Sequence, residues 1–125
     1  MSKPPKVTTR RADPLQDFYI DRDGHEYSVA RLIDDARDLP VFDVPVAAID
    51  LSGEIWSGSN MLELSFHIKK VIDADLNHPI LLDWHGAIAD GRHRVLKAIV
   101  TGQRTIKARR IQWKVTPCRK AGDGA

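Results

Sequence analysis

The chain has a single cysteine, Cys118, in 125 residues. That excludes an internal disulfide framework and fits a reducing compartment. Long hydrophobic runs are also missing. Unbroken apolar stretches are a few residues each, far short of the roughly 20 needed to cross a bilayer, so no membrane partner is expected. The first eleven residues are basic and polar with no apolar centre, the wrong pattern for a secretory signal, and the expected location is cytoplasmic. There is no internal repeat and no low-complexity tract.

The most informative absence is acid. No Asp or Glu occurs from Gly91 to Gly122, a stretch that carries Arg92, Arg94, Lys97, Arg104, Lys107, Arg109, Arg110, Lys114, Arg119 and Lys120. Most carboxylates lie between Asp13 and Glu54, so the formal net charge of +2 hides a strong asymmetry. Two readings are open: an anion-binding face for nucleotide or nucleic acid, or a basic half neutralised by packing against the acidic one. Lys107, Arg109, Arg110 and Lys114 are the candidate nucleic-acid contacts, alternate members sharing a strand face.

With 42% hydrophobic and 29% charged residues, the chain reads as one globular domain with a single core. Residues 1–12 are expected as a flexible basic tail, 13–117 as the domain and 118–125 as a disordered tail. A hairpin turning at Asp23-Gly24 is predicted first, then a helix capped by Ser28 with Val29, Leu32, Ile33 and Ala36 on one face. Val41 to Ile49 is β-rich but holds Pro45, which argues for an edge strand. Asn60, with Glu63 three residues on, has capping-box character. It opens a helix whose buried stripe is expected at Met61, Leu64, Ile68 and Val71/Ile72. Ile80-Leu81-Leu82 and Ala87-Ile88-Ala89 read as strands joined by a turn at Asp83 to Gly86. A third helix, from about Arg92 to Thr101, is expected to bury Val95, Leu96 and Ile99 and to stop at Gly102. The last strand, Thr105 to Val115, changes the parity of its apolar residues, for which a bulge near Arg109-Arg110 is expected.

The strand-to-helix junction Asp90-Gly91-Arg92-His93-Arg94 carries the functional argument. Glycine lets the backbone turn and approach a ligand. The free N–H groups of a helix start favour an anion, to which Arg94 adds a bidentate fork and His93 a donor. The alternative is that Asp90 caps the helix and both arginines are solvated or paired.

The segment from about Val44 to Ile111 resembles the N-terminal domain of the ParB/sulfiredoxin superfamily. The likeness rests on Val44-Pro45-Val46, the helix at Met61–Ala74, Leu76-Asn77-His78-Pro79-Ile80-Leu81-Leu82-Asp83, the junction itself and Thr101-Gly102. ParB-like domains carry Gly-x-Arg-Arg at the junction, sulfiredoxins Gly-Cys-His-Arg, and some small ParB-like kinases Asp-Gly-His-His-Arg. The resemblance implies an α+β fold, a small mixed sheet packed with about three helices. It also implies that Gly91, Arg92, His93 and Arg94 bind the phosphates of a nucleoside di- or triphosphate with Mg²⁺. The implied role is regulatory or DNA-associated, as in plasmid, phage or chromosome partitioning. The alternative is a small enzyme of the same fold, an ATP- or ADP-dependent kinase or a nuclease. Arg92 stands where sulfiredoxins have their cysteine, which argues against sulfinic-acid reduction. Ser57-Gly58-Ser59-Asn60 replaces the polar box that partition proteins carry after the first strand.

Other constellations are thinner. The five histidines show no metal-ligand spacing, so no metal site is expected from protein groups alone. Asp90 is open to two readings, a helix cap or a Mg²⁺ ligand beside a bound phosphate. Glu54 is either a general base for phosphoryl transfer or a solvated loop residue. Asp90 and Glu54 are therefore the catalytic candidates of the enzyme reading. His67 is expected as an ordinary satisfied or exposed histidine.

Overall fold

The computed structural model describes residues 3–53 and 60–122. A one-turn 3-10 helix at Pro14–Gln16 leads into the hairpin of β1 (Phe18–Ile20) and β2 (Glu26–Ser28). Antiparallel pairing sets Tyr19 opposite Tyr27. Asp21 organises the turn, because its carboxylate accepts from the backbone N–H of Asp23 and His25 and from the Tyr27 hydroxyl. Ser28 Oγ accepts from Arg31 N and caps α1 (Val29–Ala36). Val29, Leu32 and Ala36 of α1 are buried, whereas Ile33, expected among them, is exposed.

β3 (Phe42–Pro45) lies at the edge of a four-stranded sheet ordered β3-β6-β4-β5, as Pro45 requires. The extended run expected as far as Ile49 stops at Pro45, and Val46–Ala48 forms a 3-10 turn. β4 (Ile80–Leu82) is central, antiparallel to β5 (Ile88–Asp90) and parallel to β6 (Thr105–Arg110). The two parallel strands are connected through β5 and α3 (Arg92–Val100). α3 ends in a Schellman arrangement: Gly102, at φ 73°, donates to Ile99 O, and Gln103 to Ala98 O.

Both faces of this sheet are covered. Ile80, Leu82, Ile106 and Ala108 pack on one side with Val46, Val95 and Ala98. Leu81, Ala89 and Ile111 pack on the other with Tyr19, Tyr27, Leu32 and Val115. Two cores remove the need for the bulge expected near Arg109-Arg110. Successive strand residues point to opposite faces, so Ile106 and Ala108 enter one core while Ile111 enters the other. β6 itself ends at Arg110, and the irregular register lies instead between Leu81 and Leu82.

α2 (Met61–Asp73) departs furthest from expectation. Asn60 Oδ1 does accept from Glu63 N at 2.9 Å, but the reciprocal half of the capping box is missing because the Glu63 carboxylate goes to Arg10. The residue that α2 buries is Phe66, while Met61, Leu64, Ile68 and Ile72 are exposed and Val71 is half-buried. The helix is therefore turned away from its expected stripe. It is held partly by Lys97 of α3, whose Nζ donates to Ile72 O and Ala74 O at the end of α2. α3 likewise buries Val95 and Ala98 and leaves Ile99 exposed.

Both expected tails make contacts with the domain. Arg10 pairs with Glu63 at 2.6 Å and lies over the Phe66 ring at 3.8 Å. Arg119 forms a bridge with Glu26 of β2, and Cys118 N donates to Glu26 O. Ala121 N donates to His25 Nδ1. Among the described residues, no helix is long and apolar enough to cross a membrane.

Candidate functional site

β5 delivers Asp90 to the surface, and Gly91 turns the chain into α3 at φ 104°. A Cβ on Gly91 would lie 2.6 Å from Ile80 Cγ2 and 2.9 Å from Ile80 Cβ. Glycine is thus required here by the close approach of the turn to β4 as well as by its dihedral. The ligand approach expected from the sequence is not what demands it.

Asp90 does not cap α3. Gly91 is the N-cap, with no side-chain cap bond, and the first turn holds no acid. Asp90 Oδ2 instead accepts from Arg94 at 2.8 Å. The other arm of that guanidinium donates to His78 O at 3.2 Å and Pro79 O at 2.5 Å. Arg94, expected to grip phosphate, uses these donors for brace contacts. It ties the α3 start to the segment entering β4 and to Asp90.

His93 points to α2. Its Nε2 lies 2.8 Å from His67 Nδ1, and the rings are near parallel at 8°. Burial, followed by the charges of Lys70, His67, Arg92 and Arg94, pushes His93 down to about 4. His67 is also lowered, chiefly by burial, against the opposing pull of Glu63. At neutral pH the pair is uncharged, with an N–H of one ring facing the lone pair of the other.

Two adjoining depressions meet over Asp90, Gly91 and His93. The smaller, about 190 Å³, opens over the start of α3 and is walled by Arg10, Phe66, Lys70 and Arg92. The larger, about 510 Å³, runs along Ile33, Pro79, Ile80 and Leu81, with Lys70 shared between the two. Arg92 is exposed and makes no hydrogen bond or ion pair among the described residues. Arg10, His67 and Lys70 are the site residues that sequence reasoning missed. His67 and Lys70 do share a helical face by their spacing, but nothing local says that this face meets α3.

Four members of the basic run, Arg94, Lys97, Arg109 and Arg110, donate to backbone carbonyls, and Arg119 pairs with Glu26 of the acidic front half at 3.7 Å. Arg109 Nε donates to Leu39 O and Arg110 to Trp84 O, while Lys97 closes α2. Of the four nucleic-acid candidates only Lys107 and Lys114 remain exposed. Glu54 lies outside the described residues. No three His, Cys, Asp or Glu side chains converge on a metal position among the described residues. Asp90, the candidate Mg²⁺ ligand, has its Oδ2 held by Arg94. No family model, curated protein or solved structure matches the chain.

Proposed function

We propose that this domain binds a nucleotide, with its phosphates over the start of α3 and its nucleoside in the larger depression. The observation that carries the reading is the uncapped first turn of α3. It holds two arginines and no acid, opposite to what the helix dipole favours. An anion there takes up the free N–H groups and relieves that conflict. Lys70, Arg92 and Arg10 surround the same point. The larger depression falls within the usual range of about 300–1,000 Å³ for ligand sites, and the two share Lys70 and His93. Any Mg²⁺ would arrive on the phosphates.

The ParB-like resemblance supports a regulatory or DNA-associated use. Two carboxylates, Asp17 and Asp90, line the smaller depression; Asp90 is engaged by Arg94 rather than free to take a proton, which disfavours phosphoryl transfer through Asp90. Isothermal titration with ATP, ADP and CTP, with and without Mg²⁺, tests the reading. Lys70→Ala and Arg92→Ala are expected to weaken binding at least about tenfold, equivalent to roughly 1.4 kcal/mol. Absence of binding by all three nucleotides, or affinity indifferent to both substitutions, rejects it.

A further inference from the structure

A third cavity, of about 270 Å³, lies between the β1–β2 hairpin, residues 50–53, β5 and α3. Its walls are apolar and include Ile20, Leu51, Ile88, Leu96 and Ile99. Three of these are large side chains left open to solvent: Ile20 at 58%, Leu51 at 47% and Ile99 at 43% exposure. They come from separate parts of the chain and converge on one concavity.

The polar groups of the lining are Asp21, Asp50, Arg22 and Arg92, together with the Tyr19 side chain. The carboxylates are already engaged. Asp21 is buried and accepts from Asp23 N, His25 N and the Tyr27 hydroxyl. Asp50 Oδ1 accepts from Ser52 N and Ser52 Oγ at 3.0 and 2.6 Å. The Tyr19 hydroxyl is committed to Asp83 at 2.6 Å. Arg22 and Arg92 make no hydrogen bond or close ion pair among the described residues, although the charged Asp50 carboxylate lies within electrostatic reach of Arg22. The cavity therefore offers a ligand an apolar body and two cationic donors.

We infer that this cavity binds a small apolar carboxylate, such as a short acyl or aryl acid. Its chain or ring lies against Ile20, Leu51, Ile88, Leu96 and Ile99, and its carboxylate is held by Arg92 and Arg22. The volume, about 270 Å³, lies just below the usual range of about 300–1,000 Å³ for ligand sites, which limits the occupant to a small acid. Guanidinium forks match a carboxylate in geometry and charge. A cationic ligand of equal length would leave both arginines facing a like charge.

The test is an NMR titration of the full chain with hexanoate and phenylacetate, with hexylamine as the control. Saturable shifts are expected at the amides of Ile20, Ile88, Leu96 and Ile99, with hexylamine at least about tenfold weaker. Ile99→Asp and, separately, Leu51→Ser should each weaken hexanoate at least about tenfold while ADP titrates as in the parent chain. Both positions are half open to solvent, so a fold intact by circular dichroism is expected. Shifts scattered over the surface, equal binding of hexylamine, or indifference to both substitutions overturns the inference. Arg92 walls the phosphate site as well, so the two sites are distinguished by Ile99 and Leu51, which line this cavity and not that one; failure of ADP to bind leaves the hexanoate result standing.

Discussion

Replacing Arg94 by alanine separates a brace from a phosphate ligand, the role the junction's sequence pattern suggests. The guanidinium is 19% exposed and its partner Asp90 28%, so the pair is shielded but not dry. Alanine removes the 2.8 Å contact to Asp90 and the donors to Pro79 O and His78 O. A hydrogen bond to a charged group contributes roughly 1.5–3 kcal/mol, and stripping one partner from a fully buried pair costs about 3–5 kcal/mol. Solvent reaching Asp90 brings the expected loss to about 2–3 kcal/mol. For a domain of this length that lowers Tm by roughly 6–18 °C. Arg94→Lys keeps the charge without the fork and should recover about half of the loss. The assay is urea unfolding at neutral pH, with an Asp90→Ala double-mutant cycle expected to show coupling of about 1–2 kcal/mol. Stability within about 0.5 kcal/mol of the parent, together with lost nucleotide affinity, would show that Arg94 serves the ligand and refute the brace.

The histidine pair should make the protein acid-sensitive. His93 titrates near 4 when folded and near 6.5 when unfolded, so the unfolded chain takes up protons first, and stability falls as pH drops from about 6.5 to about 4. After allowance for solvent screening the loss is on the order of 1–2 kcal/mol. It is read as the difference between His93→Gln and the parent at about pH 7 and about pH 4.5, and parallel pH profiles would exclude it. Gly91→Ala should cost about 2–5 kcal/mol, from the left-handed dihedral and the clash with Ile80, and an unchanged denaturation midpoint would contradict that geometry. Tyr19→Phe removes the hydroxyl that donates to the fully buried Asp83. An unfolding free energy lower by about 1.5–3 kcal/mol is expected, and no change would mean Asp83 is satisfied without it.

Local chemistry was legible in the residues themselves. Ser28 and Asn60 cap because a short polar side chain reaches the N–H groups of the next turn. Gly102 ends α3 because that position needs a left-handed dihedral. Pro45 forces an edge because it has no N–H to give a second neighbour. The position of the strand-to-helix junction follows from Gly91 in the same way. Each signal acts within a few residues, so sequence spacing carries it.

What the junction's side chains do was settled by segments distant in sequence. Arg94 turns to His78 and Pro79 because the chain entering β4 runs beside α3, which nothing near Arg94 encodes. His93 meets His67, and Lys97 meets the end of α2, only once the two helices pack. The buried face of α2 departs from its apolar stripe because an amphipathic pattern says that a face is apolar, not that another element covers it. The end of β6 departs for the converse reason: the parity change between Ala108 and Ile111 looks like a defect beside one core and is a passage from one core to the other where there are two. The sequence by itself determined which segments form helices and strands, where the caps and the glycine stop fall, and which elements carry charge. Tertiary structure alone decided which carbonyls, carboxylates and rings those charges meet, because that depends on through-space neighbours set by the packing of the whole chain.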